Sequence, residues 1–89
     1  MEINNRINKA VADAEIAYKN AQTAEQKAQA KKTLVDTTTQ EYYNWYLQKH
    51  GHAPDAKTIE KVGSKLEKML TNFSEWSGTK ISAMFDSLM

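Results

Sequence analysis

A row of alanines in the first third of the chain constrains the fold more than any other feature. Within residues 10–31 (AVADAEIAYKNAQTAEQKAQAK) alanine recurs at spacings of 4, 3, 4, 3 and 4, the repeat of a coiled-coil seam. The row consists of Ala10, Ala14, Ala17, Ala21, Ala24 and Ala28, and Ile3 and Ile7 extend it toward the N-terminus. Because residues at these spacings share one side of a helix, the row predicts a long helix whose apolar face lets another helix approach closely.

The rest of the chain also has the pattern of helices. Its 89 residues include only three glycines and one proline, and the alternation typical of strands is absent. We therefore predict an all-α fold, with a long Ala-rich helix and two to three shorter helices in an antiparallel bundle or extended hairpin. We expect one helical domain over residues 1–89, with helices at about 2–36, 39–50, 56–76 and 79–88 and a hinge at 51–55.

The boundaries of these helices are predicted from capping residues. A break is placed at threonines 37–39, because β-branched residues lose side-chain freedom in a helix and Thr38 has the spacing of a capping box with Glu41. The alternative is a helix that continues through these threonines. Gly51 is typical of the position after a helix, and Asp55 is a good N-cap for the next one.

The alanine seam favours contacts with another protein. A continuous helix of 35 residues would span roughly 50 Å, and the helix at 56–76 would cover only about half of it. The alternative is ordinary packing on helices of the same chain. We expect Ala14, Ala17 and Ala21, together with Tyr18, to contact a partner.

Two further segments could meet a partner. The stretch EYYNWYLQ is rich in Tyr and Trp, which often anchor interfaces, and its rings occupy two faces of a helix. We expect Tyr43 and Trp45 to belong to the contact surface, with burial of every ring in the core as the alternative. The C-terminal KISAMFDSLM has the spacing of a groove-binding helix, so Phe85 and Leu88 are candidates too, unless this helix packs on its own chain.

These features predict a non-enzymatic protein–protein interaction module: an assembly subunit, an adaptor or an inhibitor of a larger protein. Its partner would be a second copy, giving a homodimer, or a larger protein. The chain has no cysteine, no glycine-rich phosphate loop and no histidine in a catalytic pattern, so we predict no catalytic residue, no metal site and no cofactor. No segment is apolar enough to span a membrane, and we expect a cytoplasmic protein.

The alternative function is a small DNA-binding regulator that uses residues 55–70. Lys57, Lys61, Lys65 and Lys68 share one face of the predicted helix, and a basic stripe can follow phosphates, although the net charge of the chain is only +1. The stretch WYLQKHGHAPDAKTIEKVG resembles the opening of LexA-type winged-helix domains, which implies a helix–turn–helix. The resemblance ends after about 20 residues, where no wing strands follow.

A second resemblance is limited to three residues. Trp76, Ser77 and Gly78 match the Trp-x-Gly motif of a family of small secreted helical hairpins. In that family the motif forms the central turn, whereas here it follows the third predicted helix. No functional residue is carried over from this family.

Overall fold

The computed structural model describes residues 2–87, and it describes the side chains of all of these except residues 2–4 and 75. The described part contains α1 (Glu2–Asn20), α2 (Ala24–His50), α3 (Ala56–Met69), a 3₁₀ turn (Phe73–Glu75) and α4 (Gly78–Ser87). These residues include no strand, so the prediction of an all-α fold with one long and several shorter helices is confirmed.

The first turn lies at residues 21–23, and the prediction of one helix over 2–36 is wrong. Thr23 caps α2, with its hydroxyl oxygen 3.1 Å from the backbone N–H of Gln26. The side chain of Gln26 in return accepts from the backbone N–H of Gln22 at 2.7 Å. This reciprocal pair resembles a capping box and satisfies donors that a helix start leaves free.

The predicted break at threonines 37–39 is also wrong, because α2 runs without interruption through them. Thr38 is fully buried, and its hydroxyl donates to the carbonyl of Leu34 at 2.7 Å. A buried hydroxyl that finds a partner inside its own helix costs little, so tertiary packing keeps the helix intact. Glu41 does not cap a helix there and instead forms an ion pair of 3.4 Å with Arg6.

The hinge occupies the predicted place, between His50 and Ala56. Gly51 has a φ of 76°, a left-handed conformation that suits glycine, and its N–H donates to the carbonyl of Leu47 at 2.9 Å. Asp55 accepts from the backbone N–H of Thr58 at 2.8 Å, and hydrogen bonding to Thr58 holds the pKa of Asp55 below its usual value.

Helix α3 ends at Met69 rather than at 76, and α4 begins at Gly78.

The helices form a bundle around the α1–α2 hairpin. The pairing of Arg6 with Glu41 shows that α1 and α2 run antiparallel; α3 packs on α2 and α4 packs on α1. Helix α4 approaches α1 closely at Gly78, where a Cβ would displace the Asn8 side chain. The largest fully buried apolar side chains are Ile7, Leu34, Tyr42, Val62, Leu66, Leu70 and Ile81.

Candidate docking surface

A groove runs between α1 and α2. Its apolar lining comes from Ala10, Ala14 and Ala17 of α1, Ala21 of the turn, and Ala30 and Leu34 of α2. We call this surface the alanine groove. Its volume is about 420 Å³, and all the described residues that line it belong to α1, α2 or their turn. Because α3 packs on α2 and α4 packs on α1 without contributing to this lining, the groove is open to a further element.

The polar residues of the alanine groove carry little charge. Asp13 is the only ionisable group among the described lining residues, and the others are amides and hydroxyls: Asn20, Gln26, Gln29, Thr33 and Thr37. Because alanine side chains are small, another helix can approach the backbones of α1 and α2 closely. The surface is therefore apolar at its centre and nearly neutral at its margin.

The turn at 21–23 divides the predicted seam into two parts. Ala14 is buried, Ala17 is exposed and Ala21 is half-buried, and all three line the groove. Ala24 and Ala28 lie beyond the turn and are exposed outside the described lining. The length argument for external contacts is wrong, since α1 spans only about 28 Å and has α2 beside it.

Tyr18 was expected to contact a partner beside the alanines, but its ring packs within the chain. It stacks on Phe73 at a centroid distance of 4.4 Å and meets Trp76 at 5.1 Å, while the ammonium of Lys27 lies 5.6 Å from its centroid. The described contacts of this half-buried ring therefore all lie within its own chain, and its contact with a partner stays a prediction. The ring attaches the C-terminal end of α1 to the segment after α3.

The aromatic residues of α2 lie mostly on the core side. Tyr42 is buried and its ring lies 5.9 Å from Trp45 and 6.1 Å from Tyr46, centroid to centroid. Burial raises the pKa of Tyr42, and the neighbouring Tyr46 raises it further. Trp45 is half-buried in this cluster, with the ammonium of Lys49 at 5.1 Å from its ring, and Tyr43 is half-buried as well. Neither residue belongs to the described lining of the alanine groove.

The C-terminal helix packs on its own chain. Phe85 is buried with its ring 5.2 Å from that of Tyr42, and Ile81 is fully buried. Phe85 therefore packs on its own chain, which is the alternative given for this helix, and little of its side chain is left for a partner. Leu88, the other candidate on this helix, lies outside the described residues.

The four lysines of α3 form an exposed row. Lys57, Lys61, Lys65 and Lys68 are all exposed, and none of them forms an ion pair within the part of the chain that the structure describes. They lie opposite the buried Val62 and Leu66. This arrangement keeps α3 solvated and also leaves four cations available to an anionic partner.

The two histidines lie together at the end of α2. Their ring centroids are 6.2 Å apart, and the Tyr46 ring contacts both of them. Within residues 2–87 no group of three or more His, Asp or Glu side chains is arranged to hold a metal ion. The cluster therefore offers two imidazoles and a phenol, without a carboxylate beside them.

Sequence reasoning missed the α2 side of the surface. Ile16, a large apolar side chain that is 60% exposed, is outside the described lining of the groove. Ala30 and Leu34 form the opposite wall on α2. The capping-box spacing of Thr23 and Gln26 was the signal that could have located the turn and revealed that α2 faces α1.

Comparison with known proteins gives no relative: no protein-family model, curated protein or solved structure matches this chain. None of the helices in residues 2–87 combines the length and the apolar character that crossing a bilayer requires.

Proposed function

We propose that this chain is a non-enzymatic protein–protein interaction module whose docking surface is the alanine groove. The observation that carries the proposal is an apolar groove, open between two antiparallel helices, on which no other described element packs. A groove between two helices is a common seat for a third helix, which lays its apolar face along the floor. The proposal assigns no reaction to the chain.

Small side chains determine what kind of contact this groove can make. Each alanine methyl contributes only about 0.8 kcal/mol on burial, against roughly 1.5–3 kcal/mol for a large aliphatic side chain. The four alanines on the α1 side therefore provide at most about 3 kcal/mol. Contact through the groove is expected to be reversible and to depend on close backbone approach, as suits an assembly subunit, an adaptor or an inhibitor.

A photo-activated cross-linker at position 17 tests the proposal. Ala17→p-benzoylphenylalanine places the probe on the exposed part of the groove, and Lys65→p-benzoylphenylalanine is the matched control on the exposed face of α3. We expect a discrete adduct from position 17 in the producing cell, lost when Ala21→Arg is added, and no such adduct from position 65. Absence of an adduct at 17, or equal adducts at both positions, contradicts the proposal.

Binding of duplex DNA through α3 is the second candidate function. It is favoured by the four exposed lysines that have no ion pair among the described residues. If all four contact phosphates, the logarithm of the binding constant should fall with the logarithm of salt concentration at a slope of about −3 to −4. A mobility shift that Lys61→Glu with Lys65→Glu abolishes, while Lys9→Glu with Lys32→Glu leaves it, would support this candidate; no shift at low salt would reject it.

A further inference from the structure

We propose that His50 and His52 bind a divalent transition-metal ion at the junction of α2 and α3. The proposal goes beyond the docking function of the alanine groove and does not depend on it. The sequence predicted no metal site, and the structure supplies three observations that the sequence lacks. These are the distance between the two rings, the tautomer of His52 and the place of the pair at the end of α2.

The turn at Gly51 brings the two imidazole rings together. Residues two apart in a regular helix do not face each other. Here the left-handed conformation of Gly51, with a φ of 76°, ends α2 after His50, and the ring centroids of His50 and His52 lie 6.2 Å apart. Two imidazoles that share an ion at about 2.0–2.1 Å have ring centroids roughly 4.5–6.4 Å apart. The observed spacing of the rings therefore suits one shared ion.

A hydrogen bond determines which nitrogen of His52 can bind the ion. Its Nδ1 lies 3.0 Å from the carbonyl oxygen of Ala53, and a carbonyl oxygen only accepts, so Nδ1 carries the proton. The lone pair of the neutral ring is then on Nε2. Within residues 2–87, neither this Nε2 nor the nitrogens of the His50 ring form a hydrogen bond, and both residues are exposed. Metal-binding histidines typically donate their other ring N–H to a carboxylate or a backbone carbonyl, as His52 does.

The surroundings of the pair favour a cation. Helix α2 ends at His50, and the last carbonyl groups of a helix carry the negative end of its dipole. The ammonium of Lys49, the neighbouring cation in the sequence, lies over the Trp45 ring at 5.1 Å. The ring of Tyr46 contacts both imidazoles, with centroids 4.3 Å and 5.7 Å away, and so supports the position of each ring.

The ligand set determines the class of ion. The described residues offer no third His, Asp or Glu to the site, so water would complete the coordination and the ion would be exchangeable rather than structural. Imidazole nitrogen suits copper, nickel and zinc, and among divalent ions of the first row Cu²⁺ binds such ligands most tightly. A bound ion would link the residue that follows Gly51 to the last turn of α2.

Calorimetric titration of the full chain with Cu²⁺ tests the proposal. The chain has two histidines and no cysteine, so this pair contains every imidazole of the protein. We expect one ion per chain. Loss of an outer partner of a metal ligand already lowers affinity 10–100-fold, so His50→Gln and His52→Gln should each weaken Cu²⁺ binding by about ten-fold or more. Both side chains are exposed, and circular dichroism of each variant checks that the fold is kept.

Asp55→Asn is the matched control at the hinge. It removes the carboxylate that caps α3 but keeps a good N-cap residue, so the fold is retained. Because Asp55 is not a ligand in this proposal, Asn at this position should leave the affinity for Cu²⁺ within about two-fold at physiological salt. Nuclear magnetic resonance locates the ion: Cu²⁺ should broaden the amide signals of residues 46–52 first and leave those of the turn at 21–23 sharp.

The shared ion also separates this proposal from two independent histidines. Independent rings would bind two ions per chain, and each single variant would keep one ion at unchanged affinity. Either result would overturn the inference, as would an absence of Cu²⁺ binding or a loss in Asp55→Asn equal to that in the histidine variants. None of these outcomes changes the result expected from the cross-linker at position 17, so the metal site and the docking function succeed or fail separately.

Discussion

The ring of Tyr18 stacks on the ring of Phe73, with centroids 4.4 Å apart and planes 9° from parallel. Trp76 meets both rings edge-on at 5.1 Å, and its indole N–H donates to the carbonyl of Leu70 at 2.8 Å. These contacts attach the end of α1 to the connection between α3 and α4.

The stacked pair should be energetically coupled. Tyr18→Leu and Phe73→Leu should each lower the free energy of unfolding, and a double-mutant cycle should give a coupling of about 0.5–1.5 kcal/mol, because both rings lose the same contact. Urea unfolding followed by circular dichroism measures it. Tyr18→Phe keeps the stack and serves as the control. Strict additivity of the two leucine substitutions would contradict the contact.

The position of the first turn can be tested with two threonines. Thr23→Ala should cost about 1 kcal/mol because it removes the N-cap of α2, and Thr23→Ser should preserve most of the stability. Thr37→Ala should instead stabilise the chain by a few tenths of a kcal/mol, since alanine is the better residue inside an exposed stretch of helix. Thermal or urea unfolding of the three variants measures these changes in stability. The opposite order of effects would place the turn at 37–39.

Two glycines should respond in opposite ways to alanine. Gly78→Ala should destabilise the protein by about 1–3 kcal/mol, because the new methyl group collides with the Asn8 side chain where α4 meets α1. Gly63→Ala meets open space inside α3 and should stabilise it by up to about 1 kcal/mol. Urea midpoints of the two variants provide the comparison. A destabilising Gly63→Ala would show that another element approaches α3 closely.

The buried Tyr42 should make stability depend on pH in the alkaline range. Its pKa lies above the ordinary 10.0 in the folded state, so this residue's contribution is fully present below pH 10.0 and is lost as the pH rises toward the folded-state pKa. Tyr42→Phe should remove this part of the alkaline decline. Urea midpoints measured for both proteins between about pH 8 and 11 test it. Parallel curves for the two proteins would contradict the expectation.

The sequence predicted local features well where a residue type strongly prefers one position at a helix end. Gly51 and Asp55 identified the hinge, because a left-handed glycine ends a helix and an aspartate begins the next one. The sequence did not determine the position of the first turn. Thr23 with Gln26 and Thr38 with Glu41 have the same capping-box spacing, and local chemistry does not choose between them.

Tertiary structure made that choice. Thr38 is buried with its hydroxyl bonded inside α2, and Glu41 pairs with Arg6 of α1, so α2 stays helical through the second candidate turn. A periodic row of alanines defines one side of a helix, but the row does not state where the chain reverses. For the same reason, spacing alone could not show which alanines of the row remain available to a partner.

By itself, the sequence determined the helical class, the hinge at 51–55 and the existence of a narrow apolar face, since propensity, capping and periodicity act within a few residues along the chain. Only the tertiary structure decided that the face is halved by a turn, that the Tyr18 ring stacks on Phe73 while Phe85 is buried in the core, and that Ala17 and Ile16 stay exposed. Burial depends on which elements pack together, and that depends on contacts between residues far apart in the chain.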